Sequence, residues 1–366
     1  MDILPPAALG GKYRAPKVGI LFHKNPLSAP ASIDIIRLRA ISGGLIQKGI
    51  PTEILAPVDQ DSILDGTIPV RPLSQLMEGR YDILKTCYHF SMELIQDFSH
   101  FHFPGPIVSR IVRVVDDHLP ERDEPWRERL LHCQEIIRRQ SSVLVVNNME
   151  NKIRWQRLYG KHIPVVLVPT GCPRQIPEPR SRPFDSGKRI ILFLGSIAAS
   201  RMIPLMNTLA QRLAPTAQIH IVGLNKLHWY GQGKAAALHP AIIQHGEISE
   251  DRTWDYIHHA DIGLALATGP HPFDNDLSKI YNYLRGGLPV LSESPVVNTD
   301  LIQQTELGRI FHFGDMDNLL AQAMALLTHP PSPEKRKAAM HFMASKHAWE
   351  HRVETYIKLF TSLAFT

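Results

Sequence analysis

The sequence predicts an α/β chain made of two doubly wound, Rossmann-like domains facing a central cleft. Three observations carry this. Short apolar runs of strand length alternate with amphipathic stretches of helical period. A stretch rich in proline and basic residues, Cys172 to Arg182, divides the chain near its middle. After it the same strand, turn and helix order restarts, and 366 residues suit two domains better than one.

The first domain is expected over 17–171, after a flexible leader at 1–16 that lacks the apolar core of a secretory signal. Its first strand is Lys17-Val-Gly-Ile-Leu-Phe22, a continuous apolar run of the kind a buried parallel strand shows. A loop from His23 to Ala31 follows, and Ser32 is placed to cap an amphipathic helix that runs to Lys48 and stops at Gly49. Pro51 to Ala56 is the second strand. Further strands are expected at Ile83–Cys87, Ile111–Val115, Val143–Asn147 and Val165–Val168, with a helix over Glu128–Arg139.

The linker is expected at 172–186 and acts as a hinge. The second domain, 187–340, opens on the strand Arg189–Leu194, the turn Gly195-Ser196 and a helix over Ile203–Leu213. It continues with a strand at Ile219–Val222, a helix at Trp254–His259 and a strand at Ile262–Ala267. A helix at Leu277–Arg285, a strand at Pro289–Leu291 and a helix at Asp317–Leu327 complete it. Glu334–Phe360 reads as one helical stretch, and 341–366 as a terminal helix able to cross back to the first domain.

Composition narrows the function classes. An apolar fraction of 44% and a charged fraction of 20% are those of a globular protein. No uninterrupted apolar run reaches the roughly 18 residues of a spanning helix. The net charge is +5, but its lysines and arginines are dispersed rather than blocked, which argues against nucleic acid as a partner. Cys87, Cys133 and Cys172 form no CxxC pair and no zinc-like cluster, so no metal is expected and a reduced cytoplasmic compartment fits. The mild positive excess suits an enzyme that handles diphosphates, and it is compatible with peripheral contact at the inner face of a membrane.

The informative segment runs from Asp274 to Leu291. An acidic cluster precedes a helix start, Ser278 and Lys279 fall in the first turn, and Gly286-Gly287 ends the helix before a strand at Pro289. A helix N-terminus offers unpaired N–H groups and partial positive charge to a diphosphate, and Lys279 adds a full charge there. Asn282 lies one turn beyond Ser278, on the same face. These residues also suit a solvated helix start; their context favours the ligand-facing reading.

This arrangement resembles the signature of GT-B glycosyltransferases close to family GT4. On that resemblance Asp274 takes the acidic position that contacts the transferred sugar, and Asn282 stands where relatives carry a glutamate that binds the ribose hydroxyls. The resemblance extends to Leu192–Ser196, whose Gly195 and Ser196 would approach the diphosphate, and to Arg201 as a phosphate-binding basic residue. Ile221-Val-Gly223 resembles the next strand and turn, and Gly246-Glu247-Ile248 the segment beside the nucleobase. Ala260–Leu264 resembles the strand before the sugar-binding loop, while Trp349-Glu350 and Tyr356 resemble the terminal helix.

For the acceptor side, Arg113-Val-Val-Asp-Asp-His118 ends in two carboxylates and an imidazole, and Asp116 and His118 are the candidate base or sugar-holding groups. His23 and Asn25 follow the first strand at the carboxyl edge, where α/β ligands bind. His89 and Glu93 read as structural rather than ligand-facing. The implied activity is transfer of a sugar from a nucleoside diphosphate, UDP-sugar first and GDP-sugar second, without a metal or cofactor. The implied acceptor is a hydroxyl of a glycan, a lipid-linked glycan or a small molecule. A nucleotide-sugar epimerase of the same architecture and a non-catalytic donor-binding relative are the rival readings.

Overall fold

The structure, a computed structural model, describes residues 14–28, 32–78, 80–97, 103–116, 124–227, 237–272 and 275–364. The described residues divide into two compact units, the first drawn from 1–119, 124–170 and 349–366 and the second mainly from 171–348.

In unit 1 the chain runs β1 (Val18–Leu21), α1 (Ile33–Gln47), β2 (Thr52–Ala56), β3 (Ser62–Leu64), β4 (Ile68–Pro72) and β5 (Ile83–Thr86). It goes on through α2 (Glu93–Asp97), β6 (Ile107–Ile111), α3 (Glu124–Gln140), β7 (Val143–Val146), α4 (Met149–Tyr159) and β8 (Val165–Leu167). The sheet order is β3-β4-β2-β1-β5-β6-β7-β8, and every pairing is parallel except β3 with β4. Strands buried on both faces are apolar throughout, as β1 and β7 are. The β3–β4 hairpin, absent from the expected elements, turns on Asp65 and Gly66, both at positive φ. That Asp-Gly pair is a known turn signal that the strand-by-strand reading passed over.

The strand expected at Ile111–Val115 is displaced. Strand β6 ends at Ile111, and the next segment gives its N–H groups to side chains. Val114 donates to Asn151 Oδ1 at 2.8 Å and Val115 to Gln134 Oε1 at 2.7 Å, so amides of α4 and α3 replace a strand partner. Ser32 stands at the N-cap of α1, but its hydroxyl makes no capping hydrogen bond.

Unit 2 runs β9 (Arg189–Leu194), α5 (Met202–Leu213), β10 (Ala217–Val222), β11 (Ile243–Gln244), α6 (Glu250–His259) and β12 (Ile262–Ala265). Next come α7 (Ser278–Arg285), β13 (Val290–Glu293), α8 (Thr299–Thr305), β14 (Gly308–Phe311), α9 (Met316–Thr328) and α10 (Pro333–Lys346). Its all-parallel sheet has the order β11-β10-β9-β12-β13-β14. From β9 the chain first steps outward to β10 and β11, then crosses to β12 on the other side. The carboxyl ends of β9 and β12 therefore flank a topological switch point, where α/β sheets bind ligands.

The proline-rich stretch is packed on unit 2. Arg285 donates from Nε to the Pro173 carbonyl at 2.9 Å and from a terminal nitrogen to the Arg174 carbonyl, and Phe184 is buried against His220 and Tyr256. The single helix expected over Glu334–Phe360 is broken. Helix α10 stops at Lys346 and α11 (Trp349–Ala364) begins three residues later. In the gap Cys172 N–H donates to the His347 carbonyl at 3.0 Å and bridges Ala348, so the chain enters and leaves unit 2 side by side. Helix α11 packs on α1 within unit 1, where Val353 fills the space that a side chain at Gly44 would need.

Candidate functional site

The site in unit 2 is assembled where β9 and β12 part. Their ladder ends at the pairing of Gly263 with Leu192, and Tyr283 of α7 takes over beyond it. The Tyr283 hydroxyl accepts from Leu194 N–H at 2.8 Å and donates to the Leu192 carbonyl at 3.1 Å. Gly263 is required there, because a Cβ would stand 2.5 Å from the Tyr283 ring. One helix thereby seals the splayed strands and carries its own first turn to the crevice.

After β9, Gly195 adopts φ +95° and donates its N–H to the Val222 carbonyl at 2.7 Å. Gly223 takes φ +140° with its Cα packed on the Gly195 carbonyl, where a Cβ would come within 2.2 Å. No other residue fits that approach. Over this turn lies Lys279: its Cε and Nζ are 3.8 Å from where a Gly195 Cβ would be, and Nζ is 3.6 Å from the Phe193 ring centroid. Among the described residues no carboxylate or carbonyl accepts from that ammonium. Burial pulls its pKa down to about 7. A half-buried cation on an aromatic face, with no anion beside it among the described residues, attracts negative charge.

The backbone around it points the same way. The N–H groups of Ser196, Ser278 and Lys279 have no protein acceptor among the described residues, and no side chain caps α7. Ser278 and Asn282 are partly buried, one turn apart, and their side chains make no hydrogen bond within the described residues. The structure thus brings together Gly195, Ser196, Ser278, Lys279 and Asn282. Glu247 lies beyond Gly246, whose carbonyl accepts from Gly223 N–H at 2.8 Å, and it is exposed. Asp274 falls outside the described residues.

Arg201 is committed elsewhere. Its guanidinium forms a two-pronged pair with the fully buried Glu293 at 2.5 and 2.9 Å, donates to the Ala267 carbonyl at 2.6 Å and lies 4.0 Å from the Phe313 ring centroid. Glu293 also accepts from the N–H groups of Ala267 at 2.7 Å and Gly314 at 3.1 Å. The pair pins the carboxyl edge of the sheet, and the Arg201 side chain stays partly exposed.

Two asparagines that the motif reading passed over build the loop into α7. Asn275, fully buried, accepts from Thr268 N–H and hydroxyl and donates to the Gly269 and His271 carbonyls. Asn298 brackets Leu277, accepting from its N–H at 3.1 Å and donating to its carbonyl at 2.8 Å. Asn275 stood inside the acidic cluster at 274–276, where only the charges drew notice.

In unit 1, His23 follows β1 and stacks on Tyr88 at a centroid distance of 5.5 Å, with Nδ1 3.4 Å from Ser91 Oγ. Burial first, then the Lys24 and Arg129 charges, lower its pKa to about 4, so it is neutral at pH 7. Asn25 Oδ1 accepts from Leu27 N–H at 2.9 Å and shapes the loop. Asp116 is paired with Arg154 of α4 at 2.5 Å, and His118 lies outside the described residues. His89 is buried as a structural histidine would be, but its hydrogen bonds are unmet. It is fully buried beside Tyr88 and Phe90, and neither ring nitrogen has a hydrogen-bond partner. Burial, with the Arg113 charge next, holds its pKa well below the ordinary value.

Among the described residues no group of His, Cys, Asp and Glu is arranged to hold a metal ion, and no helix is long and apolar enough to cross a membrane. No family model and no curated protein matches the sequence. Solved structures do. The chain is similar to sucrose-phosphate synthase from Thermosynechococcus elongatus, at 15% identity over 96% of this chain and 99% of that one, with a TM-score of 0.71. It is similar to HepE from Anabaena in complex with UDP-glucose, at 12% identity over 95% and 100%, TM-score 0.73. WaaG, a glycosyltransferase involved in lipopolysaccharide biosynthesis, matches at 14% identity over 94% and 99%, TM-score 0.66. The fold is that of the GT-B glycosyltransferases.

Proposed function

We propose that the chain transfers a hexosyl unit from a nucleoside diphosphate sugar to a hydroxyl acceptor, with the donor held by unit 2. The observation that carries this is Lys279, whose ammonium lies over the Gly195 turn at the switch point without a protein anion among the described residues. The N–H groups of Ser196, Ser278 and Lys279 and the α7 N-terminus would bind the diphosphate oxygens. In the transition state the departing nucleoside diphosphate gains negative charge, and these fixed donors stabilise it more than the ground state. Lys279 supplies at the leaving group the charge that a divalent metal supplies elsewhere, so turnover is metal-independent in this reading.

UDP is the favoured nucleotide, supported by the UDP and UDP-glucose complexes of HepE, with GDP second. Asn282 faces the ribose and Asp274 the transferred sugar. Glu247, exposed beside Gly246, lies toward the base. His23, Asn25, Asp116 and His118 serve the acceptor side, where a neutral His23 can accept a hydroxyl proton. The acceptor is a glycan, a lipid-linked glycan or a small hydroxyl compound. The cytoplasm, with contact at the inner membrane face, is the proposed location; the three buried thiols, none in a disulfide, agree with a reducing compartment.

The test is a thermal-shift panel with UDP, GDP, ADP and dTDP and their sugar conjugates, with and without EDTA. A ligand that binds only the folded state adds about 2.7 kcal/mol at a hundredfold excess over Kd. One nucleotide should raise Tm in EDTA, and the rise should vanish in Lys279→Met; no rise with any nucleotide refutes the donor site. Asn282 in place of the family glutamate favours a second reading, donor binding without turnover. Release of nucleotide from the sugar conjugate decides between the two.

A further inference from the structure

Among the described residues, unit 1 buries a cluster of cations that outnumber the carboxylates paired with them. Between its sheet and the helices α1 and α11 lie Arg37 of α1, Lys85 of β5 and Arg110 of β6, each at most 5% exposed. Ile83 and Val108, neighbours of Lys85 and Arg110 on the same sheet face, belong to an apolar core, and the sheet pattern alone would place leucine or valine at both cationic positions. Among the described residues the carboxylate paired with this cluster is Asp34, 3.3 Å from Arg37. Burial, then the nearby Arg110 charge, pulls the Arg37 guanidinium below its ordinary value.

The hydrogen bonds leave donors over. Arg110 gives one N–H to the Val168 carbonyl at 3.4 Å, while its Nε and its second terminal nitrogen have no acceptor. Arg37 reaches Thr170 Oγ1 at 3.4 Å, and its Nε is likewise unpartnered. Lys85 donates to the Thr86 carbonyl at 3.1 Å and lies 4.9 Å from the Tyr356 ring centroid. The Tyr356 hydroxyl has no partner. An arginine does not escape burial by losing its proton. Unpaired buried cations are tolerated only where an anion answers them, and guanidinium forks fit the oxygens of phosphate.

Position supports a ligand rather than an accident of packing. Lys85 and Arg110 stand at the last-but-one residues of neighbouring parallel strands, at the carboxyl edge where α/β domains bind ligands. Asp34, partly exposed, is the member that solvent reaches. We infer that Arg37, Lys85 and Arg110, with the Tyr356 hydroxyl, form a binding site for a phosphoryl group in unit 1. Free phosphate and a phosphate ester share this chemistry. The site stands independently of the donor site in unit 2, and an ester bound here would bring a phosphorylated molecule to the acceptor domain.

The experiment measures Tm of the full chain in a phosphate-free zwitterionic buffer, with added inorganic phosphate, glucose 6-phosphate or glycerol 3-phosphate, for the wild type, Arg110→Met and Lys279→Met. A wild-type rise of about 5 °C at a hundredfold excess over Kd is expected. It should persist in Lys279→Met and vanish in Arg110→Met, whose Tm without phosphate should equal or exceed that of the wild type. A larger rise with an ester than with inorganic phosphate identifies an ester site; equal rises identify free phosphate. No rise in the wild type overturns the inference. So does a rise that survives Arg110→Met and disappears in Lys279→Met, which locates the phosphate at the donor site instead. Should Arg110→Met fail to fold, titration calorimetry on Lys85→Met replaces it: a phosphate Kd weakened at least tenfold supports the site, and an unchanged Kd overturns it.

Discussion

The ammonium of Lys279 lies 3.6 Å from the centroid of the Phe193 ring, one residue before the Leu194-Gly195 turn. The ring face stabilises the cation but cannot replace water, and burial still lowers its pKa to about 7. A lysine pKa lowered on folding means that the unfolded chain binds more protons between the two values. Stability therefore rises with pH from about 7 towards the ordinary lysine value of 10.5, and the destabilisation is full below 7. An anionic ligand reverses this by favouring the charged form. Nucleoside diphosphate affinity should fall as pH rises above about 7, approaching tenfold per unit, and Lys279→Met should abolish that slope while raising Tm without ligand. Calorimetric titrations from pH 6 to 9 check both; a flat profile in the wild type rejects this role for Lys279.

Asn282 offers a gain-of-function test. It keeps hydrogen-bonding capacity where the family pattern has a glutamate, and its side chain makes no hydrogen bond within the described residues. A charge-assisted hydrogen bond is roughly twice as strong as a neutral one. Asn282→Glu should therefore tighten UDP about five- to tenfold and leave 2′,3′-dideoxy-UDP unchanged. Equal effects on both ligands would remove Asn282 from the ribose.

Much of this was legible because buried parallel strands declare themselves. Ile190–Leu194 and Val143–Val146 are apolar throughout, and Gly195 marks the end of the first. The helix N-terminus at Ser278 was legible for the same local reason. What escaped was set by contacts distant in sequence. Val114 and Val115 have the composition of a strand, yet Asn151 and Gln134 take their N–H groups. Continuous helical period hid the break at His347, which exists because Cys172 pairs there from 175 residues away. Arg201 has the place of a phosphate ligand in the sequence, and only the fold shows Glu293 beneath it.

The Arg201–Glu293 pair should be worth more to stability than to binding. Glu293 is fully buried and also holds the Ala267 and Gly314 N–H groups, so removing Arg201 strands a buried charge, and removing Glu293 leaves a part-buried guanidinium and two N–H groups without their acceptor. Such losses cost about 3–5 kcal/mol. Arg201→Leu and Glu293→Leu should each lower stability in urea by that order, with the double variant less unstable than the sum of the two. If Arg201→Leu instead leaves the urea midpoint unchanged and weakens UDP at least tenfold, Arg201 is a phosphate ligand after all.

His220 contributes an acid-side pH dependence in the same window as His23. It is buried on β10, 2.9 Å from His245 Nε2 through its Nδ1, and His245 continues to the Tyr256 hydroxyl at 3.1 Å. Burial, then the neighbouring imidazole, lowers the His220 pKa to about 4. The folded state thus prefers the neutral ring, while the unfolded chain takes up its proton near 6.5. The stabilisation is complete above pH 6.5 and is lost progressively as pH falls from there towards 4. His220→Phe, which keeps a flat ring against Phe184, should flatten the urea midpoint across that window, at the cost of the hydrogen bond to His245. Because His245 immediately precedes Gly246 and Glu247, the same substitution reads out whether the imidazole chain also supports the base-binding edge. A UDP affinity that drops in His220→Phe while ADP affinity stays level would tie the chain to base recognition; a uniform drop would make it a support of the Gly223–Gly246 bridge alone.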